Sequence, residues 1–178
     1  QEDLKALQDA AEDGDLDAQY RLGRSYYYGE DGAPKDDKQA FYWFSRGAEG
    51  DSISAQYYLG LCYIRGIGTE KDETRAVALF TETAEQGYPP AITELGLCYE
   101  LGHGVEMDKG RAAELYQEAA DMDYAPAQCN LGYFYYQGIY FEENNDEAAV
   151  LFAKAAQQGY PRAQVLMGEC FENGYGVE

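Results

Sequence analysis

Apolar residues return along the chain with two spacings, and the pair of spacings recurs about every 36 residues. In a first segment Ala, Leu, Gly and Tyr stand at offsets 0, 4, 5 and 8; in a second, Ala, an aromatic residue and Ala stand at offsets 0, 4 and 8. Both spacings place the apolar residues on one stripe of an α-helix. First segments start at Ala18, Ala55, Ala91 and Ala127, and second segments at Ala40, Ala76, Ala112 and Ala148. A fifth, incomplete copy starts at Ala163 and has Met167 and Phe171 at offsets 4 and 8. Each complete repeat is therefore predicted to be a hairpin of two helices.

Polar residues mark where the predicted second helices begin. An acid or an amide stands four residues before the first alanine of each second helix, where its side-chain oxygen can accept a hydrogen bond from a free backbone N–H. These predicted caps are Asp36, Asp72, Asp108 and Asn144.

Glycine occurs at two fixed positions of every first segment. The glycines that follow the tyrosine position suit a left-handed helix end. They are Gly29, Gly66, Gly102, Gly138 and Gly174. A glycine in the middle of a helix costs about 1 kcal/mol relative to alanine, so its recurrence needs a reason. The mid-helix glycines are Gly23, Gly60, Gly96, Gly132 and Gly168. We predict that they permit close approach of the paired helix, with the alanines of that helix as the small facing surface.

Fixed-period repetition predicts an all-α fold, an α/α solenoid of stacked antiparallel helical hairpins. We expect a single solenoid over 1–178. The expected division is the second helix of a preceding unit at 3–14, repeats at about 15–51, 52–87, 88–123 and 124–159, and the first helix of a fifth repeat at 160–178. Because the pattern begins and ends out of phase and the first residue is Gln1, we interpret the chain as part of a longer protein.

Charge limits the classes of partner. The net charge of −20 disfavours nucleic acid and anionic lipid and favours a neutral to basic protein or peptide. No apolar run approaches the roughly 18 residues that a bilayer crossing needs, so no membrane insertion is expected. The open ends of a stack also leave self-association open as an expectation.

The four cysteines are predicted to be buried thiols. Cys62, Cys98 and Cys170 share one repeat position, and equivalent positions on neighbouring helices lie about 9–10 Å apart, which is too far for a disulfide. Cys129 stands at a different repeat position. Unpaired cysteines favour the cytoplasm, while a secreted or periplasmic location stays open if a signal peptide has been removed.

No arrangement of residues indicates catalysis, a metal or a cofactor. No serine is followed by the Ser-x-x-Lys spacing, and His103, the only histidine, stands between two loop glycines. The alternating acids from Asp13 to Asp17 start like a calcium loop but lack its glycine, so acids at a helix start explain them better. We therefore predict a non-enzymatic protein.

The repeated string Ala-x-x-x-Leu-Gly-x-x-Tyr-x-x-Gly-x-Gly, the Asp that opens the second helix and the ending Ala155-Ala156-Gln157-Gln158-Gly159 resemble the Sel-one-like repeat. This family is related to the tetratricopeptide repeat, whose period is 34. The resemblance covers essentially the whole chain. It implies a right-handed superhelix with the first helices on its concave face, and an adaptor or scaffold that assembles protein complexes. Some cysteine-rich members of the family have been linked to penicillin and cell-wall peptides, so binding or hydrolysis of cell-wall peptides or β-lactams is the alternative function.

Similarity to tetratricopeptide grooves also implies where a partner would bind. It selects first-helix positions two after the alanine, one after the glycine, and one and two after the tyrosine. The residues expected to contact a partner are Tyr20, Arg24, Tyr27, Tyr28, Tyr57, Leu61, Ile64, Arg65, Leu97, Leu101, Tyr133 and Tyr136. Tyrosine, leucine and isoleucine dominate this set, and aromatic rings with one polar end are typical of binding hot spots.

Overall fold

The structure is a computed structural model that describes residues 4–175. Over these residues the chain forms ten α-helices and no strand, so the all-α prediction is confirmed. The helices are α1 (Leu4–Glu12), α2 (Leu16–Tyr28), α3 (Asp37–Glu49), α4 (Ile53–Arg65), α5 (Glu73–Glu85), α6 (Pro89–Leu101), α7 (Lys109–Asp121), α8 (Ala125–Tyr136), α9 (Asn145–Gln157) and α10 (Pro161–Asn173).

The helices group into two compact units, Gln1–Tyr88 and Pro89–Glu178. Unit 1 holds α1 to α5 and unit 2 holds α6 to α10, and within each unit every helix packs against the next. In both units the even-numbered helices are the predicted first helices and the odd-numbered ones the predicted second helices. The predicted helix near the start of the chain is α1, whose Leu7 and Ala11 are buried against Ala18, Leu22 and Trp43. A single solenoid over the whole chain stays a prediction.

The predicted caps are confirmed. Asp36, Asp72, Asp108 and Asn144 each precede a second helix and accept hydrogen bonds from backbone N–H groups two or three residues later. The glycines after the tyrosine position are also as predicted, with φ between 62° and 74°. The glycines end each first helix and the capping residues begin each second helix, so together they define the turn of each hairpin.

The reason for the mid-helix glycines differs from the prediction in one respect. A side chain of the second helix does lie against each of four of them, but it is the aromatic ring and not an alanine. A Cβ on the glycine would lie 2.6 to 2.8 Å from the nearest ring carbon, well inside normal van der Waals contact. The pairs are Gly23 with Phe44, Gly60 with Phe80, Gly96 with Tyr116, and Gly132 with Phe152. The ring fills the space that the missing Cβ leaves, so glycine and aromatic residue form one packing element.

Gly168 is the exception among the mid-helix glycines. It lies on α10, for which residues 4–175 supply no following second helix, and a Cβ there would have no heavy atom within 4 Å. The same repeat position is therefore crowded in four helices and open in the fifth.

All four cysteines are free and buried, as predicted. Burial raises the pKa of the Cys62 thiol to about 12 and that of Cys129 to about 11. A buried, protonated thiol is a poor nucleophile and a poor metal ligand. The cysteines therefore act as small core residues.

Candidate partner-binding face

Tyrosine rings from α2 and α4 meet on one face of unit 1. The Tyr58 ring lies 5.6 Å from the Tyr20 ring, 5.7 Å from Tyr27 and 6.5 Å from Tyr28, centroid to centroid. The hydroxyl groups of Tyr28 and Tyr58 are 3.3 Å apart, within hydrogen-bond distance. We call Tyr20, Tyr28, Tyr57 and Tyr58, together with Arg24, the tyrosine face. Four of these five residues belong to the predicted set, so the structure brings them together.

Tyr58 was not predicted, although it is central to this face. It stands three residues after Ala55, where the other complete repeats carry Arg21, Glu94 and Asn130. Its ring also stacks on Phe44 of the preceding second helix at 4.9 Å. The signal in the sequence was an aromatic residue at a position that is polar in those repeats.

Arg24 lies between two rings of its own helix. Its guanidinium carbon is 6.0 Å from the Tyr20 ring centroid and 5.6 Å from that of Tyr28, because residues four apart on a helix are neighbours. Residues 4–175 contain several ion pairs between Lys or Arg and Asp or Glu, but Arg24 takes part in none of them. Its Nε is shielded from water and has no hydrogen-bond acceptor among the described residues. A planar cation is thus held in a tyrosine frame without a carboxylate.

Tyr57 lies beside this frame, and Ile64 lies about two turns farther along α4. Both are half-buried. The Tyr57 ring contacts Tyr58 at 5.4 Å, Tyr88 at 5.5 Å and Phe80 at 6.0 Å. One side of Tyr57 is therefore fixed by its own hairpin, and the remaining part extends the tyrosine face along α4.

Tyr27 and Leu61 were expected to contact a partner, but the structure buries both of them. They are therefore removed from the expected contact residues. Tyr27 is 9% exposed and Leu61 is 5% exposed. The Tyr27 ring packs edge-on against Phe44 and Tyr58, and its hydroxyl accepts a hydrogen bond of 3.0 Å from Arg65 Nη1. These two side chains stabilise unit 1 and present almost no surface, whereas Arg65 remains exposed while it binds Tyr27.

The predicted residues of unit 2 do not form a comparable group. Leu101 is 47% exposed and Leu97 is half-buried. The Tyr133 ring is covered by the Arg162 guanidinium at 5.4 Å, and Tyr136 contacts Phe152 and Tyr175, each at 6.3 Å. Tyr133 and Tyr136 therefore each have separate neighbours.

In the third repeat, at about 88–123, a residue at one of the predicted contact positions binds a core side chain of the same repeat. Its second helix carries Tyr116 where the other three carry Phe, and the buried Tyr116 hydroxyl donates a 2.6 Å hydrogen bond to Glu100. Glu100 occupies the position that Tyr27 and Tyr136 hold in their repeats. A buried hydroxyl without an acceptor would cost about 1–3 kcal/mol, so Glu100 serves packing here.

Burial favours the protonated form of tyrosine hydroxyls in the tyrosine face and directly beneath it. It raises the pKa of Tyr20, Tyr27 and Tyr58; the positive charge of Arg24 opposes this shift at Tyr20 and Tyr58, and Arg65 opposes it at Tyr27. These hydroxyls stay neutral at physiological pH and can both donate and accept hydrogen bonds. The face is thus aromatic and locally cationic at Arg24, in a chain whose net charge is −20.

The described residues show no grouping suited to metal chemistry. Within 4–175 no cluster of three or more His, Cys, Asp or Glu side chains could hold an ion. Asp15, in the acidic run that starts like a calcium loop, instead caps α2 by accepting a 2.8 Å hydrogen bond from Ala18 N. Of the helices in this stretch, none is long and apolar enough to cross a membrane.

The sequence model of the Sel1 repeat family matches almost the whole chain. The matched segments are 16–52, 53–88, 89–124, 125–160 and 161–178. The chain belongs to the Sel1 repeat family. This confirms the resemblance found from the repeated string, and proteins of this family are typically protein-interaction scaffolds.

Similar proteins of known structure support the same family assignment. A Sel1 repeat protein from Oxalobacter formigenes is 33% identical over 98% of this chain with a TM-score of 0.86, and this chain covers 50% of it. A protective antigen of uropathogenic Escherichia coli strains, described as having an SLR fold, is 33% identical over 97% of this chain with a TM-score of 0.79; 37% of the antigen is covered.

One curated relative is a component of a larger assembly. The ERAD-associated E3 ubiquitin-protein ligase component HRD3A of Arabidopsis thaliana is 33% identical over 67 residues, which is 38% of this chain. The chain spans 10% of that relative's length and half or less of the two solved structures.

Proposed function

We propose that this chain is a non-enzymatic interaction module that binds a peptide or a loop of another protein on the tyrosine face of unit 1. The observation that carries the proposal is the grouping of Tyr20, Arg24, Tyr28, Tyr57 and Tyr58 on two adjacent first helices. Membership of a family of interaction scaffolds supports it, as does the expectation that first helices carry the binding surface.

The chemistry of the face suits a peptide. Half-exposed tyrosine rings bury a large area with little loss of conformational entropy, and their hydroxyls can pair with backbone amides and carbonyls of an extended segment. Tyr28 is 48% exposed, so it has much surface left to bury. Its ring is already oriented by Tyr27 at 4.8 Å and by the Tyr58 hydroxyl, so little reorganisation is needed on binding.

A random-peptide display library is the probe that tests this proposal. We expect selection on the wild-type chain to enrich peptides, and Tyr28→Ala to weaken the binding of an enriched peptide by about thirtyfold, the size of a hot-spot contact of about 2 kcal/mol. Binding is measured by fluorescence polarisation, and helical circular dichroism establishes that each variant folds.

Tyr42→Ala is the matched control. Tyr42 is a tyrosine of unit 1 with 47% exposure, but it lies on α3, a second helix. We expect this variant to bind like the wild type. Equal losses in the two variants, or a library that enriches nothing, would contradict the proposal.

Binding or hydrolysis of cell-wall peptides or β-lactams remains the alternative prediction. Hydrolysis of the chromogenic cephalosporin nitrocefin by the purified chain would support it in place of the interaction module.

A further inference from the structure

We infer that the partner segment inserts a carboxylate next to Arg24, flanked by apolar or aromatic side chains that lie on the tyrosine rings. The inference rests on the proposed function and names the chemistry of what the tyrosine face binds. It refines the expectation drawn from net charge, which was a neutral to basic partner, by placing one carboxylate at the point of contact.

The state of Arg24 carries the argument. A guanidinium is a planar fork of donors that pairs best with a carboxylate, and cations in proteins are usually paired or well hydrated. Here the chain has 33 acidic and 13 basic residues, yet within the described part none of its ion pairs involves Arg24. Its Nε is shielded from water and lacks an acceptor among the described residues, so a ligand carboxylate would have to meet the guanidinium at its terminal amino groups.

The tyrosine frame adds specificity. Rings on both sides hold the guanidinium plane in place, so less conformational entropy is lost when it pairs with a ligand. The Tyr28 and Tyr58 hydroxyls lie 3.3 Å apart, so when one of them donates to the other, the second can donate its own proton to the same carboxylate. Apolar side chains beside the carboxylate would then cover the rings.

The net charge of −20 does not oppose this contact at short range. Charges farther away than about 8 Å are screened at physiological ionic strength, whereas a direct hydrogen bond to a charged group survives. The long-range field still disfavours a strongly acidic ligand. The segment that fits is therefore neutral or basic as a whole and carries one carboxylate at the point of contact.

Arg24→Gln tests the inference in the peptide selection. We expect wild-type selections to enrich an Asp or Glu, or a free C-terminal carboxylate, next to an apolar residue, and selections on the variant to lose this preference. Changing that carboxylate to its amide should weaken binding to the wild type by about tenfold or more, the size of a hydrogen bond to a charged group. The same change should have little effect on binding to Arg24→Gln.

Arg21→Gln is the matched control. Arg21 lies on the same helix but is exposed, and it pairs with Asp17 at 3.9 Å. Its variant should keep the carboxylate preference.

Peptides enriched without a carboxylate, or a preference that persists in Arg24→Gln, would overturn the inference and leave the proposed interaction module intact. A library that enriches no peptide would overturn both.

Discussion

Gly60→Ala and Gly168→Ala make the same chemical change at the same repeat position, and we expect opposite effects on stability. In a helix interior alanine is favoured over glycine by about 1 kcal/mol. A Cβ on Gly60 would lie 2.6, 3.0 and 3.2 Å from three carbons of the Phe80 ring, against a normal separation of about 3.5–4.0 Å. A Cβ on Gly168 would have no heavy atom within 4 Å.

The two terms give the magnitudes. Phe80 is fully buried, so its ring cannot move into solvent, and overpacking of a core costs about 1–3 kcal/mol or more. A contact of 2.6 Å places this overpacking in the upper part of that range, about 2–3 kcal/mol, so after the gain in helix propensity Gly60→Ala should lower the free energy of unfolding by about 1–2 kcal/mol. Gly168→Ala should leave it unchanged or raise it by up to about 1 kcal/mol.

Urea unfolding followed by circular dichroism at 222 nm measures both effects. Phe80→Leu supplies the decisive control, because it removes ring atoms that the new Cβ would meet. The double variant Gly60→Ala with Phe80→Leu should be more stable than the sum of the single changes predicts, by about 1 kcal/mol. The packing argument is refuted if Gly60→Ala is as stable as the wild type, or if Gly168→Ala is destabilised to the same extent.

Three further predictions concern caps, thiols and pH. Asp72→Ala should lower the free energy of unfolding, measured in urea, by about 1 kcal/mol because it removes the cap of α5. The control Glu85→Ala, at the exposed end of the same helix, should change that free energy by less than about 0.5 kcal/mol. Ellman's reagent should react with fewer than one thiol per native chain and with four after denaturation; rapid reaction of the native protein would contradict the buried positions. Since folded pKa values of about 12 for Cys62 and about 11 for Cys129 exceed the unfolded value of about 8.5, their contribution to stability is complete below pH 8.5 and declines as pH rises towards 12. In urea titrations the Cys62→Ala, Cys129→Ala double variant should show a shallower alkaline decline, and an unchanged slope would contradict this.

The sequence was sufficient for the helices, their caps and the family because each of these features repeats. A motif present four or five times separates structural positions from variable ones, even without other sequences. Spacing defines a helical stripe but not which atom lies opposite each member, so the ring of Phe44 against Gly23 was not foreseen.

Prediction of the binding face was less complete for a related reason. Positions carried over from related grooves identify a side of the helix, but neighbouring rings decide whether a residue there stays exposed. Tyr27 is buried because Phe44 and Tyr58 pack against its ring. Tyr58 itself departs from the repeat, and a search based on recurring positions does not select it.

Departures from the repeat therefore distinguish the two units more than the repeat does. In unit 1 the departure is Tyr58, an extra ring that joins α2 to α4 by contacting Tyr20 and Tyr28, the two rings that frame Arg24. In unit 2 the departure is the pair Tyr116 and Glu100, in which a carboxylate at a face position satisfies a core hydroxyl. A first-helix position can serve the core or a partner, but one side chain seldom serves both. This division of use is the reason why we place the proposed binding surface on unit 1.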